Sequence, residues 1–138
     1  MLFMEDYADK SPEELRDILS KRVILGKIPA MIVTMGGNGA VYADVNGEKG
    51  ICPPQRVRVK DTTGAGDSFM GALLFQATRK GFSIDQLSVD ELKSIAGFAN
   101  ACSAGSTRKY GSMDVMTTME DARWIMENSP LKQPTYDF

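Results

Sequence analysis

Nine residues, Asp61-Thr62-Thr63-Gly64-Ala65-Gly66-Asp67-Ser68-Phe69, divide this chain by the period of its apolar positions. Ahead of them lie short β-branched runs; behind them apolar residues recur at helical spacing. Two glycines separated by one alanine mark the change. The implied order is a helix, a group of strands, then three helices. That order constrains the chain to an α/β layer fold, with helices packed on a small sheet.

Local signals place the elements. Ser11-Pro12-Glu13-Glu14 reads as a helix start, with Ser11 as N-cap, Pro12 in the first turn and Glu14 closing a capping box. Leu15, Ile18 and Leu19 follow at helical spacing, and Gly26 and Pro29 break the pattern. Ala30 to Met35 is short, apolar and β-branched, which predicts a buried strand ending at the turn Gly36-Gly37-Asn38-Gly39. Ala40 to Asp44 predicts a second strand, Asn46-Gly47 a hairpin turn, and the residues around Lys49 to Cys52 a third strand. After Pro53-Pro54, the alternation in Arg56-Val57-Arg58-Val59 predicts a half-exposed strand. A helix is expected from Gly66, with Phe69, Leu73 and Ala77 on one face and Gly81 as its stop. Ser88 to Glu91 is a second capping box, opening a helix with Leu92, Ile95, Ala96, Ala99 and Cys102 inward. The last helix is expected from Thr117 or Thr118 to Asn128, with Ala122, Ile125 and Met126 inward, and Trp124 reads as packing. The tail after Pro130 reads as loose.

Composition then removes function classes. A chain of 138 residues, 43% hydrophobic and 25% charged, has the makeup of one ordinary globular domain. It has no apolar run near the ~20 residues of a membrane span. Its start turns acidic at Glu5-Asp6, unlike a secretory leader, so a cytoplasmic setting is expected. A net charge of −2 argues against a nucleic-acid partner. Two cysteines and no histidine exclude the usual zinc sites. Cys52 and Cys102 read as buried free thiols, with a disulfide left open. Without histidine, any general base must be a carboxylate, lysine, tyrosine or cysteine. The nine methionines read as core filler and surface residues, and Lys109 as a solvated charge.

Taken alone, the glycines of Asp61–Phe69 let backbone N–H groups face inward at a helix N-terminus, where an anion is favoured. An acid at position 67 is out of place in a cradle that only binds a phosphate. It makes sense if Asp67 takes a proton from a hydroxyl that then attacks that phosphate. The bland alternative is a tight turn with a helix-start acid. No GxxxxGK string followed by Ser or Thr is present, which disfavours a Walker-type site.

The whole string resembles the second signature of the PfkB (ribokinase-like) carbohydrate kinases. Val33 to Ala40 resembles that family's strand and turn along the nucleotide. Phe98-Ala99-Asn100-Ala101, followed by Arg108-Lys109-Tyr110-Gly111, resembles its late helix and adjoining loop. The likeness covers most of residues 23 to 125, and its form is closest to fructokinase-like and 2-keto-3-deoxygluconate-kinase-like members. It implies a partial ribokinase-like fold, the carboxy-terminal half of an α/β protein. It implies Asp67 as catalytic base, with Gly64, Ala65 and Gly66 as the anion hole. Thr34, Gly36, Gly39 and Asn100 would lie along ATP. Mg²⁺ would accompany the phosphates, and Asp61 and Thr63, with the loop near Gly111, would hold a monovalent cation such as K⁺.

Family members run to more than twice this length. The resemblance therefore implies that the amino-terminal part, with most sugar contacts and the lid, is absent. The Mg²⁺-organising Asn-x-x-Glu motif would lie before or across the start of this chain, and Glu5, with no matching asparagine, is not assigned that role. Self-association or a separate amino-terminal half is the expected partner, beside sugar and ATP. Two rivals stand beside ATP-dependent phosphorylation of a sugar hydroxyl. One is a nucleoside (adenosine-type) kinase, and the other a vestigial, non-catalytic module that binds nucleotide or associates with itself.

Overall fold

The computed structural model describes residues 7, 9–81, 88–108, 110 and 117–128. Its first helix, α1 (Pro12–Gly26), carries the expected capping box: the Glu14 N–H donates to the Ser11 hydroxyl and the Ser11 N–H to the Glu14 carboxylate. Gly26 is its last residue. The left-handed position falls one residue later, at Lys27 (φ 52°), whose N–H closes on the Ile24 and Val23 carbonyls.

Three antiparallel strands follow, β1 (Ala30–Thr34), β2 (Ala40–Asp44) and β3 (Lys49–Cys52), in the order β1-β2-β3. The pleat sends alternate residues to opposite faces. Val41 and Ala43 face Leu19 and Val23 of α1. Ala40, Tyr42 and Cys52 face a cluster with Phe69, Leu92, Ala96 and Ala99. The sheet thus lies between α1 and the later helices. Every residue of β2 is buried because it is central, whereas β1, expected to be buried, is only half-buried because it is an edge strand among the described residues.

The β2–β3 turn is held by Asp44, which is 2% exposed: its carboxylate accepts the Asn46 and Glu48 N–H groups at 2.9 and 3.0 Å. Gly47 takes φ 89° beside it, so the Asn-Gly signal is met with an acid as its anchor. Gly50 stands opposite Tyr42, where a Cβ would come within 2.3 Å of the phenol oxygen.

Residues 56–59 form no strand, contrary to the alternation, and only Gln55 makes an isolated bridge. Pro53 and Pro54 withhold two N–H donors just where a ladder would have to start. The three remaining helices are α2 (Ala65–Arg79), α3 (Val89–Ser106) and α4 (Met119–Asn128). Gly81, at φ 65°, follows the cap of α2. The second capping box, Ser88 with Glu91, is present, and all five inward positions expected of α3 are buried. In α4, Ala122 and Ile125 are fully buried, but Met126 is 46% exposed and Trp124 55% exposed. Adjacent positions turn by about 100° on a helix, so with Ile125 inward its neighbours swing outward. Trp124 instead lies under the Arg108 guanidinium, 5.9 Å from the ring centre.

Both cysteines are buried free thiols. No helix among the described residues is long and apolar enough to cross a membrane. The expectations on Glu5, Lys109, Gly111 and the tail after Pro130 lie outside the described residues.

Candidate active site

The turn after β1 is one 3-10 turn, Gly36–Asn38, closed by the Met35 N–H donating to the Gly39 carbonyl at 2.8 Å. Gly39 is required there on two grounds. Its φ is +88°, and a Cβ would stand 2.1 Å from the Cys52 carbonyl oxygen. The turn is therefore pressed directly onto the chain leaving β3.

α3 organises the rest. Asn100, Ser103 and Thr107 recur at intervals of three and four along and just past the helix, and so share a face. The Asn100 amide donates to the Pro53 carbonyl at 2.8 Å, holding the segment after β3. The Ser103 hydroxyl donates to the Ala65 carbonyl at 3.0 Å, holding the first turn of α2. The Thr107 carbonyl accepts the Lys60 and Asp61 N–H groups at 2.7 and 3.2 Å, holding the approach to the signature.

These three anchors shape one pocket of about 470 Å³. Thr34, Gly36, Gly39, Asn100, Ala65 and Gly66, six of the residues singled out from sequence, line it together. Gly64, Asp67, Asp61 and Thr63 do not line it. Gly64 is the N-cap of α2 at φ 78°; no side chain caps that helix, and of its first-turn N–H groups that of Ala65 donates to the Thr62 carbonyl at 3.2 Å. A Cβ built on Gly66 would meet nothing within 4 Å, which leaves open space before that backbone. Asp67 follows in the first turn of α2, exposed. The Asp61 carboxylate accepts the Thr63 N–H at 2.9 Å and hydroxyl at 2.7 Å, so these two residues are brought together as one turn. Among the described residues no group of three or more Cys, Asp and Glu side chains forms a metal cluster.

Sequence reasoning missed other parts of the wall. Ser103 and Thr107 could have been found by continuing three and seven residues from Asn100. Gln55 and Arg56 carried no such signal, since the segment after the two prolines has no regular period once it leaves the sheet. Among the described residues, Arg56 is the one charged residue lining the pocket.

Comparison with known proteins decides the ancestry: the model of the pfkB family carbohydrate kinases matches residues 2–119. The chain belongs to the PfkB family. It is 38% identical over 102 residues to "Probable fructokinase-5" of Arabidopsis thaliana, covering 74% of this chain and 31% of that protein. It is 34% identical over 105 residues to a ribokinase of Schizosaccharomyces pombe, covering 74% and 30%. Among solved PfkB-like folds, aminoimidazole riboside kinase of Salmonella enterica, complexed with aminoimidazole riboside and an ATP analog, matches with a TM-score of 0.63 at 29% identity, covering 72% of this chain and 32% of that one. Fructokinase of Vibrio cholerae, with fructose, ADP and calcium bound, matches with a TM-score of 0.64 at 28% identity, covering 77% and 33%. The fold is thus ribokinase-like and partial. This PfkB chain spans about a third of the length of the relatives it matches.

Proposed function

We propose that these residues form the ATP-binding and catalytic part of a kinase that phosphorylates a sugar hydroxyl. One observation carries the reading. The glycine turn after β1, the uncapped start of α2 and the polar face of α3 converge on a single pocket, with Asp67 one residue beyond its Gly66 wall.

ATP would lie along Thr34, Gly36, Gly39 and Asn100, with its phosphates toward the start of α2. Asp67 takes the proton of the acceptor hydroxyl as that oxygen attacks the γ-phosphorus. The bond to the bridging oxygen breaks and ADP leaves. The N–H groups of the Gly64-Ala65-Gly66 segment receive the charge that develops on the transferring group. Mg²⁺ would supply charge neutralisation on the phosphates. Asp61 and Thr63 are the residues of this chain proposed to order the loop beside K⁺.

Acceptor contacts are proposed to come from sequence outside these residues. The first rival keeps a foothold, since aminoimidazole riboside kinase of Salmonella typhimurium is 32% identical over 102 residues, which favours a riboside acceptor as second reading.

Calorimetric titration with MgATP, with and without K⁺, tests the nucleotide site. Saturable binding supports it; a folded chain that binds no MgATP refutes it. Phosphoryl transfer to fructose, ribose or a riboside, measured on mixing with a separately expressed amino-terminal portion of a related kinase, tests the chemistry. Asp67→Asn should lower that rate by roughly 10²–10⁴-fold while leaving MgATP binding in place. An unchanged rate removes Asp67 as the base.

A further inference from the structure

Two side-chain oxygens among the described residues are buried without a hydrogen-bond partner, those of Gln55 and Gln76. Gln76 lies in α2, away from the pocket. Gln55 lines it, in the irregular segment between Pro54 and Arg56. Buried acceptors in folded proteins are almost always paired, because an unpaired one forgoes its bonds to water with nothing in return. The Gln55 carboxamide oxygen accepts no hydrogen bond from the described residues. Val57, Val59 and Phe69 line the same pocket, and apolar groups would serve the wall better at position 55 if packing were the only demand.

We infer that Gln55 reads the nucleobase, its carboxamide oxygen accepting a hydrogen bond from the exocyclic amine of adenine. The inference rests on the pocket being the nucleotide site. A ligand in the pocket that Gln55 borders can supply the donor that no described residue gives this oxygen. The terminal carboxamide torsion is broad, so the group turns toward a ligand at little cost. Adenine carries an amine at the position where hypoxanthine carries an acceptor oxygen. A site built to accept a hydrogen bond there rejects the analogue that meets it with a second acceptor.

The test compares MgATP with MgITP by calorimetry on the full chain, in the wild type, Gln55→Leu and Gln55→Glu. The wild type should favour MgATP by roughly tenfold, the scale of one hydrogen bond. Gln55→Leu should bring the ratio close to one, and Gln55→Glu, which keeps an acceptor, should retain a preference for MgATP. A ratio that Gln55→Leu leaves unchanged, or a wild type that binds both equally, overturns the role of Gln55 while the nucleotide site stands. Absence of binding by either nucleotide overturns the site and this inference together.

Discussion

The side-chain amide of Asn100 donates to the Pro53 carbonyl across 47 positions of sequence, at 2.8 Å, with Asn100 only 8% exposed. This bond joins the middle of α3 to the segment leaving β3, and so fixes one wall of the pocket against another. Asn100→Leu removes the donor and leaves a carbonyl unpaired. It should lower stability by about 1–3 kcal/mol in denaturant titration. Asn100→Asp should do no better, because a carboxylate cannot donate.

Two glycines of the site should respond in opposite ways. Gly39→Ala forces a Cβ onto the Cys52 carbonyl at φ +88°, and should destabilise by about 2 kcal/mol or more. Gly66→Ala meets open space inside a helix, and should be neutral or stabilising by up to ~1 kcal/mol. Its new methyl group narrows the ligand side, so nucleotide binding should weaken while the melting temperature holds. Thermal melts paired with MgATP titration separate the two effects.

Asp44 should be worth more than its place in a surface turn suggests. Its carboxylate accepts two backbone N–H groups and is almost wholly buried. Asp44→Ala should lower stability by about 1–3 kcal/mol, and Asp44→Asn, which keeps an acceptor oxygen, by less. Urea midpoints at constant slope would show the order.

Burial pushes the thiols of Cys52 and Cys102 from 9.0 up to about 11 each. The unfolded chain releases these protons first as pH rises. Their contribution to stability is therefore fully present below pH 9 and is lost between about 9 and 11. In that window stability should fall by ~1.4 kcal/mol per pH unit for each thiol still protonated in the fold. Replacing both with alanine should flatten that slope. In the native protein neither should react with a thiol reagent at pH 8 faster than the chain opens.

Much of this was legible before any coordinates. The capping boxes at Ser11 and Ser88 were readable because a helix start is satisfied by residues three apart. The three strands were readable because β-branched runs ended at glycine and Asn-Gly turns. The signature from Asp61 to Phe69 carried family and fold, since glycine spacing and an acid in one short stretch report on backbone geometry that few sequences can share. Together with the stretches around Gly36 and Asn100, it nominated six residues that share a pocket.

What needed tertiary structure was whatever depends on partners far apart in the chain. Alternation in Arg56–Val59 looked like a strand, but a strand exists only if a neighbour pairs with it, and two prolines stood in the way. Met126 and Ala122 are four apart and equally suited to an inward face; only the packing of Phe98 and Cys102 against Ala122 turned that side inward, and Ile125 is buried as well. Position on the sheet edge left β1 half-exposed while an equally apolar β2 is buried. The assembly of the site belongs to this second kind. Local spacing determined that Gly36 and Gly39 form one turn and that Gly64 forms another, which leads through Gly66 into α2. That the two turns face one pocket was decided by three hydrogen-bonded anchors on α3, and such bonds link residues that no local pattern relates.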